Sequence, residues 1–409
     1  MCVIGLGYIG LPTAAMFASN GIDVCGVDVN PGVVDAVNRG QAHFAEPELA
    51  SLLKKVVSEG RLHASCEPEA ADAFIIAVPT PFKDDHEPDL RFVDAATEAV
   101  AGVLKKGDLI VLESTSPVGT TDRLLATLRA LRLDIFTSED FQREIDVNIA
   151  YCPERVLPGQ ILQEIVSNDR IIGGVSEACA KRAAGLYGVF VTGECLLSDA
   201  KTAEMCKLAE NAFRDVNIAF ANELSLICDE LGIDVWRLIA LANRHPRVKV
   251  LRPGPGVGGH CVAVDPWFIV NRTPSLARLI RTAREVNSSK PHAVVEKVAN
   301  IASKLKNPKI VCLGLAFKAD VGDLRESPCV EIVTALVERN LGSVIVVEPF
   351  IQCLPEELDG MSVVLSSVED ALKGSDVVVI LTDHTAFRSI TQAQLAGTVV
   401  VDTRGPSTA

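Results

Sequence analysis

Short runs rich in valine and isoleucine alternate with helical stretches in this chain, and the alternation occurs twice. The first series covers residues 1–190 and contains the runs CVIGL, DVCGVD, AFIIAV, LIVLES, NIAYCP and RIIGG. The second begins at Lys309 with KIVCLGL and continues with VIVVEP, MSVVL, DVVVIL and TVVVDTRG. This rhythm is typical of parallel strands joined by crossover helices. The sequence therefore predicts an α/β protein with two Rossmann-like doubly wound domains.

A long helical pattern separates the two series. It runs from about Ser198 to Leu231, and its apolar residues recur every three to four positions, which predicts one apolar face. These residues are Leu208, Phe213, Phe220, Leu224 and Ile227. We expect one domain at 1–195, a helical middle domain at 196–305 built around this long central helix, and a third domain at 306–409.

The composition and net charge of the chain argue against nucleic-acid and membrane partners. The net charge is −14, with 53 acidic against 39 basic residues, which argues against a nucleic-acid partner. No apolar run reaches the length of a membrane span, and the chain opens on a strand-like run without a basic leader. We therefore expect a cytoplasmic protein without a membrane partner. The twelve cysteines are scattered without a CxxC pair, so we expect mostly buried thiols and no metal site.

The first strand-like run leads into GLGYIG at residues 5–10 and then into a helical pattern. Gly5 permits a tight turn, Gly7 lets a pyrophosphate approach the backbone, and Gly10 allows close packing of helix and strand. Asp28 ends the next strand, where a carboxylate accepts ribose hydroxyls and repels a 2′-phosphate. The pattern predicts an NAD site. The alternative is a glycine turn without a ligand, with Asp28 as a helix cap.

Two later turns also follow strands. They contain Thr80 and Thr115, and both lie where ligands bind in open α/β sheets. Turns of this kind are, taken alone, more often helix caps.

The loop GPGVGGHC at residues 254–261 carries the main candidate for catalysis. Four glycines in the six residues before His260 and Cys261 indicate a backbone that approaches a ligand closely. Cys261 is therefore a candidate nucleophile, with a buried apolar thiol as the alternative. Asp265 lies four residues further on and would share a face with Cys261 if a helix starts there.

Polar and basic residues on either side of this loop suit charged intermediates and phosphates. Lys207 and Asn211 project together from the long helix, as an oxyanion site requires, and Arg214 continues that face; a solvated helix face is the alternative. A basic cluster precedes the loop and suits a diphosphate, or is a solvated loop. Its members are Arg244, His245, Arg247, Lys249 and Arg252. Phe317, Lys318 and Arg404 follow strands of the second series and would line a second nucleotide site.

At these residues the chain resembles the UDP-glucose/GDP-mannose dehydrogenase family. The resemblance covers nearly all the chain through GLGYIGLP, VPTP, ESTSPVGTT, PERVLPG, AEMCKLAENAFRDVNIAFANEL, GPGVGGHC, GLAFKADVGDLRES and DTRG, in family order. It implies an NAD domain, a central helix that carries much of a homodimer contact, and a C-terminal domain that binds a UDP-sugar. The implied reaction is a four-electron oxidation of the sugar at C6 through a cysteine thioester, in the synthesis of a cell-surface polysaccharide.

The resemblance also assigns roles to individual positions. The implied catalytic residues are Cys261, Lys207, Asn211, Asp265 and Glu154. The implied NAD contacts, with Gly5, Gly7 and Gly10, are Tyr8, Ile9, Asp28, Thr80, Thr115 and Arg325. The implied substrate contacts are Arg155, Val156, Lys207, Asn211, Arg214, His245, Arg247, Gly258, Phe317, Lys318 and Arg404.

Within the family, NRHPRVKVLRPGPGVGGHCVAVDPWF favours UDP-N-acetyl-D-mannosamine as substrate. Glucose-type members carry a second glutamate where this chain has Pro158 and a lysine where it has Val264. UDP-N-acetylglucosamine and UDP-glucose remain alternatives. A single-step hydroxyacid dehydrogenase and a non-catalytic NAD-binding regulator are alternatives of other classes.

Overall fold

The computed structural model describes residues 1–44, 46–83, 86–136, 146–156, 159–259 and 261–405. Contacts between residues divide the chain into two compact units, Met1–Glu210 and Asn211–Ala409. Within the described ranges, no helix combines the length and the apolar character that crossing a lipid bilayer requires.

The first unit is built on a sheet that has eight strands in the described residues. They are β1 (Cys2–Ile4), β2 (Val24–Val27), β3 (Leu62–Ser65), β4 (Ala73–Ile76), β5 (Leu109–Leu112), β6 (Asn148–Tyr151), β7 (Arg170–Gly174) and β8 (Cys195–Asp199). Their spatial order is β3-β2-β1-β4-β5-β6-β7-β8. The strand order reverses between β1 and β4, and ligands of open α/β sheets bind at the carboxyl ends of such strands.

Helices cover both faces of this sheet. They are α1 (Gly10–Ser19), α2 (Pro31–Asn38), α3 (Leu49–Ser58), α4 (Arg91–Ala101), α5 (Thr120–Leu131), α6 (Ile161–Ser167) and α7 (Glu177–Tyr187). Val3 packs into one apolar cluster with α1 and α3, whereas Cys2 and Ile4 pack into a second cluster with α4 and α5. Burial on both faces explains why the central strands β1, β2, β4 and β5 are continuous apolar runs rather than alternating ones.

Four helices follow in chain order, and a second sheet follows them. The helices are α8 (Ala200–Leu231), α9 (Val235–Ala242), α10 (Asp265–Arg272) and α11 (Arg278–Ala302). The strands are β9 (Lys309–Leu313), β10 (Ser343–Val347), β11 (Val363–Leu365), β12 (Val377–Ile380) and β13 (Val399–Asp402), with α12 (Pro328–Glu338) and α13 (Val368–Leu372) between them. Their order is β11-β10-β9-β12-β13, and all pairs are parallel. The predicted α/β class with two doubly wound sheets is confirmed.

One strand direction differs from the prediction. β7 pairs antiparallel with β6, through Ala150 and Gly174, whereas the alternation of runs predicted parallel strands throughout. Apolar alternation records where strands are buried and carries no information on their direction. Since β7 is antiparallel, its first residue, Arg170, lies at the edge where β5 and β6 end.

Candidate active site

The glycine turn between β1 and α1 has the shape that a dinucleotide requires. Gly5 has φ +92°, and a Cβ there would lie 2.6 Å from the Ala77 carbonyl oxygen. A Cβ on Gly10 would lie 1.8 Å from the Gly5 carbonyl oxygen, so α1 approaches the turn too closely for any side chain. A Cβ on Gly7 would meet nothing within 4 Å. The open space beside Gly7 fits the approach of a pyrophosphate to the backbone.

Asp28 is fixed beside this turn by two backbone donors. The Leu6 N–H donates to Asp28 Oδ2 at 3.1 Å, and the Asn30 N–H donates to Oδ1 at 2.9 Å. A carboxylate beside the glycine turn is the partner expected for the ribose hydroxyls of NAD. These residues therefore fit the cofactor, which supplies the acceptor for the electrons of the reaction when it is bound.

The other predicted NAD contacts of the first unit lie near the same carboxyl edge. Thr80 Oγ1 donates to the Thr115 carbonyl at 2.5 Å, which joins the turns after β4 and β5. Ile9 is the residue before α1. The Tyr8 ring stacks on Phe44 with centroids 4.6 Å apart, and its hydroxyl donates to Glu46 at 3.4 Å.

Two of the predicted catalytic and substrate residues of the first unit, Glu154 and Arg155, contact other charged groups. Glu154 is 8% exposed and accepts hydrogen bonds from its neighbour's N–H and from Arg170. Arg155 pairs with Glu210 at 2.7 Å and donates to the Asp169 carbonyl, so part of its guanidinium is already engaged. Val156 packs against the apolar cluster of α1 and α3. Lys207 is half-buried on α8.

The cysteine loop of the second unit packs closely on the turn after β9. A Cβ on Gly258 would lie 2.6 Å from Phe317 Cβ, and Gly259 has φ +82° against the Phe317 ring. The Gly259 N–H donates to the Arg325 carbonyl at 3.2 Å. Glycines are therefore required along this stretch of the loop. His260 lies outside the described residues.

Cys261 is exposed, whereas seven of the twelve cysteines are buried and none forms a disulfide. The Asp265 N–H donates to the Cys261 carbonyl at 2.8 Å, and α10 begins at Asp265. Asn211 Nδ2 donates to Asp265 Oδ2. The structure thus brings Cys261, Asp265 and Asn211 together around the start of α10.

A buried amide network anchors the beginning of the same loop. The Gly254 N–H donates to Asn222 Oδ1 at 2.8 Å, and Asn222 Nδ2 donates to Asn287 Oδ1 at 2.8 Å. Asn287 in turn donates to Asp215, which pairs with Arg284 at 2.6 Å. The network joins α8 and α11 to the loop, and its residues were not among those predicted for the site.

Arg404 lies beside the loop, and Arg252 of the basic cluster contacts Arg404. Arg404 Nε donates to the Leu381 carbonyl, and its Nη1 lies 3.2 Å from where a Gly254 Cβ would be. Arg252 lies over the Trp236 ring and donates to the Arg404 carbonyl. The side chains of Arg214, His245, Arg247 and Lys318 are exposed. The side chain of Arg325 pairs with Asp323 at 2.6 Å.

One group of described residues has metal-ligand chemistry. The ligand atoms of Cys25, His63 and Glu69 lie within 4.8 Å of one another. His63 and Glu69 are more than half exposed and contact each other at 3.1 Å. We therefore interpret them as a surface pair that lies beside the buried thiol of Cys25.

Family models match three consecutive parts of the chain. The NAD binding domain of the UDP-glucose/GDP-mannose dehydrogenase family matches residues 1–191, its central domain 201–289 and its UDP binding domain 311–407. The chain therefore belongs to the UDP-glucose/GDP-mannose dehydrogenase family. It is an oxidoreductase, and its cofactor is NAD.

Individual relatives are similar over almost their full length. An NDP-N-acetyl-D-galactosaminuronic acid dehydrogenase of Ralstonia solanacearum is 57% identical over 98% of this chain and 95% of its own. A UDP-N-acetyl-D-mannosamine dehydrogenase of Escherichia coli K12 is 54% identical over 98% of both chains. The solved UDP-D-ManNAc dehydrogenase of Pyrococcus horikoshii is 39% identical with a TM-score of 0.87, over 99% of this chain and 96% of its own.

Proposed function

We propose that the protein oxidises C6 of UDP-N-acetyl-D-mannosamine to a carboxylate, consuming two NAD per turnover through a thioester on Cys261. The observation that carries the proposal is the placement of Cys261. It is exposed at the end of a glycine loop whose backbone packs against Phe317 and Arg325. A thiol held this way suits covalent catalysis better than packing.

The chain's own groups would act in sequence. The C6 hydroxyl loses its proton and C6 loses a hydride, which NAD would accept when bound, so that C6 becomes an aldehyde. The Cys261 thiolate then adds to the aldehyde carbon, and Lys207 with Asn211 stabilises the resulting oxyanion. The second oxidation leaves a thioester. Water attacks its carbonyl carbon, the C–S bond breaks, and a carboxylate of the protein, Glu154 or Asp265, accepts the proton.

A substrate panel tests the sugar. We expect NADH release to be fastest with UDP-N-acetyl-D-mannosamine and to reach two NADH per sugar. UDP-N-acetylglucosamine and UDP-glucose are the first alternatives. UDP-N-acetylgalactosamine is a further candidate, because one relative at similar identity is named for a galactosaminuronic acid. One NADH per sugar would refute the four-electron reaction.

Substitution of the thiol tests the mechanism. Cys261→Ser should lower turnover on the order of 10³-fold, since a hydroxyl replaces a thiolate nucleophile. Cys353→Ser is the matched control, because Cys353 is also exposed and lies outside the proposed site. Full NADH production by Cys261→Ser would refute the thioester.

A homodimer belongs to the same proposal, and its support is an exposed apolar row on α8. Phe213, Phe220 and Ile227 recur every seven residues and are 72%, 53% and 47% exposed. Seven residues are almost two helical turns, so these side chains share one face. Phe220→Lys should shift the protein from dimer to monomer in analytical ultracentrifugation, whereas Phe92→Lys, at an exposed phenylalanine of α4, should not.

Other expectations stay predictions. The predicted domain boundaries after residues 195 and 305 can be tested by limited proteolysis. The cytoplasmic location and the role in cell-surface glycan synthesis call for experiments in cells. The substitution at Pro158 lies outside the described residues, while Val264 is the residue before α10.

A further inference from the structure

Three charged side chains are buried together at the carboxyl edge of the first sheet. Glu113 follows β5, Glu154 follows β6, and Arg170 begins β7. Their side chains are 0%, 7% and 4% exposed. Of these three, the family resemblance assigns a role only to Glu154. We call Glu113, Glu154, Arg170 and the adjoining Tyr187 the arginine cluster.

Arg170 is the centre of this cluster. Its Nη2 lies 2.9 Å from Glu154 Oε2, and its Nη1 lies 3.5 Å from Glu113 Oε1. The guanidinium also lies over the Tyr187 ring, 4.6 Å from the centroid. The second oxygen of Glu154 accepts from the Arg155 N–H at 2.7 Å. Both oxygens of Glu154 are therefore held by donors, which fixes the plane of its carboxylate.

Glu113 has its own partners on the side away from Glu154. The Tyr187 hydroxyl donates to Oε1 at 3.0 Å, and Thr13 Oγ1 donates to Oε2 at 3.3 Å. Thr13 belongs to α1, the helix that starts at the glycine turn. Glu113 thus joins the arginine to the helix that begins at the glycine turn.

Stability alone is a poor reason for such an arrangement. Two buried carboxylates share one arginine, and desolvation of buried ions generally offsets most of their mutual attraction. An apolar cluster of the same volume would serve the core as well. What the charges add is a fixed orientation of the Glu154 carboxylate, which accepts from Arg170 and from the Arg155 N–H.

We propose that Arg170 is a positioning residue, which orients the carboxylate of Glu154 so that Glu154 accepts the proton of the water that cleaves the thioester. Glu113 and Tyr187 hold Arg170 from the opposite side. The inference rests on the proposed function and takes Glu154, one of its two candidate carboxylates, as the base. In the step, the water oxygen bonds to the thioester carbon, the Cys261 thiolate leaves, and the water proton moves to Glu154.

Protonation of Glu113 should make the ion pairs of Arg170 depend on pH. Burial raises the pKa of Glu113 to about 7, nearby Glu154 adds to the effect, and Arg170 opposes it. The other groups that face Glu113 are Tyr187, Thr13 and Cys152. When Glu113 takes up a proton, Arg170 is left with Glu154 as its only buried anionic partner in the cluster.

The test follows the covalent adduct on Cys261 by mass spectrometry of rapidly quenched enzyme during turnover. Glu154→Gln and Arg170→Met should both lower kcat on the order of 10²-fold. The ratio kcat/KM for both substrates should change less than about threefold, because it reports the steps before hydrolysis. Both should accumulate thioester after a burst of two NADH per site. Arg170→Lys keeps the charge but not the fork, so it should accumulate less adduct than Arg170→Met.

Controls separate the possible failures. Arg123→Met, which breaks an ion pair with Asp94 in the same unit, should accumulate no adduct. If Arg170→Met does not fold, Arg170→Lys and Tyr187→Phe carry the test. Adduct in Glu154→Gln but none in the Arg170 and Tyr187 variants would overturn the positioning role and leave the proposed function standing. Absence of adduct from every variant, Glu154→Gln included, would overturn the proposed function itself.

Discussion

The Leu6 N–H donates to Asp28 Oδ2 at 3.1 Å, so the carboxylate at the end of β2 is tied to the glycine turn after β1. The bond holds a negative charge where the ribose of NAD is expected. It also gives the carboxylate a structural task, because it satisfies an N–H of the turn. The two tasks can be separated by an amide, which lacks the charge but whose oxygen still accepts from the Leu6 N–H. The exposed Asn30 N–H can then donate to water instead.

Asp28→Asn should therefore fold normally and lose the preference for NAD over NADP. We expect KM for NAD to rise about tenfold, which corresponds to about 1.4 kcal/mol. The KM for NADP should fall, since repulsion of the 2′-phosphate is removed. Steady-state kinetics with both cofactors check this. Asp23→Asn, at an exposed aspartate just before the same strand, is the control, and an unchanged cofactor ratio in Asp28→Asn would contradict the assignment.

Substitution by alanine should change the free energy of unfolding greatly at Gly10 and little at Gly7. A Cβ on Gly10 would lie 1.8 Å from the Gly5 carbonyl, so Gly10→Ala should lower the free energy of unfolding by about 3 kcal/mol or more. A Cβ on Gly7 meets no protein atom within 4 Å, so Gly7→Ala should stay within about 0.5 kcal/mol of wild type.

The effect of Gly7→Ala should appear in the binding of NAD rather than in stability. Gly7→Ala should weaken NAD binding at least tenfold in fluorescence titration, because the methyl group occupies the space that the pyrophosphate needs. A stable Gly7→Ala variant that binds NAD as tightly as wild type would show that the cofactor does not approach the backbone there.

Much of this fold can be predicted from the sequence, because most strands are marked by apolar residues that are adjacent in the chain. All five strands of the second sheet are apolar runs that the sequence marks. Burial on both faces explains the apolar runs of the inner strands β9 and β12. The end strands β11 and β13 are also valine-rich, although Val364, Val399 and Val400 are exposed. β3 and β8 were not predicted. β3 alternates buried and exposed residues, and in β8 Leu196 and Leu197 are 43% and 44% exposed, as expected for strands at the two ends of a sheet.

Part of the candidate site can also be predicted from local sequence motifs, and part cannot. The glycine turn, Asp28 and the cysteine loop are signalled by residues close together in the chain. The arginine cluster is not, because Arg170 is 57 residues from Glu113, and their contact depends on β7 running antiparallel to β6. The bond from Gly254 to Asn222 likewise needs tertiary packing that spacing along one helix does not specify.

Glu113 should make stability depend on pH. An acid whose pKa is raised from 4.5 to about 7 in the folded state binds more protons folded than unfolded between those values. The free energy of unfolding therefore falls as pH rises from about 4.5 to about 7. Glu113→Gln lacks this titration, so its stability relative to wild type should rise over the same range, by on the order of 2 kcal/mol.

Urea denaturation at pH 5, 6, 7 and 8 measures the Glu113 effect. Glu98→Gln, at an exposed glutamate of α4, should show no such trend. A constant difference between Glu113→Gln and wild type across these pH values would mean that Glu113 does not titrate in this range.

Lys290 should show the opposite dependence. It is 6% exposed on α11, borders a cavity of about 240 Å³, and donates to Ser225. Desolvation lowers its pKa from 10.5 to about 8, with Asp229 opposing and Lys297 adding to the shift. Between those values the unfolded chain binds more protons, so the free energy of unfolding rises with pH from about 8 to about 10.5 and the full cost applies below pH 8.

Lys290→Met removes that cost and keeps a side chain of similar length. We expect it to raise the free energy of unfolding at pH 7 by about 2 kcal/mol, because the loss of the bond to Ser225 offsets only part of the gain from removing a buried charge. The gain should shrink at pH 10, where wild-type Lys290 is neutral. Lys297→Met, at an exposed lysine paired with Asp229, should change stability by less than about 1 kcal/mol at both pH values. An equal gain for Lys290→Met at pH 7 and pH 10 would show that packing, rather than the buried ammonium, sets the difference.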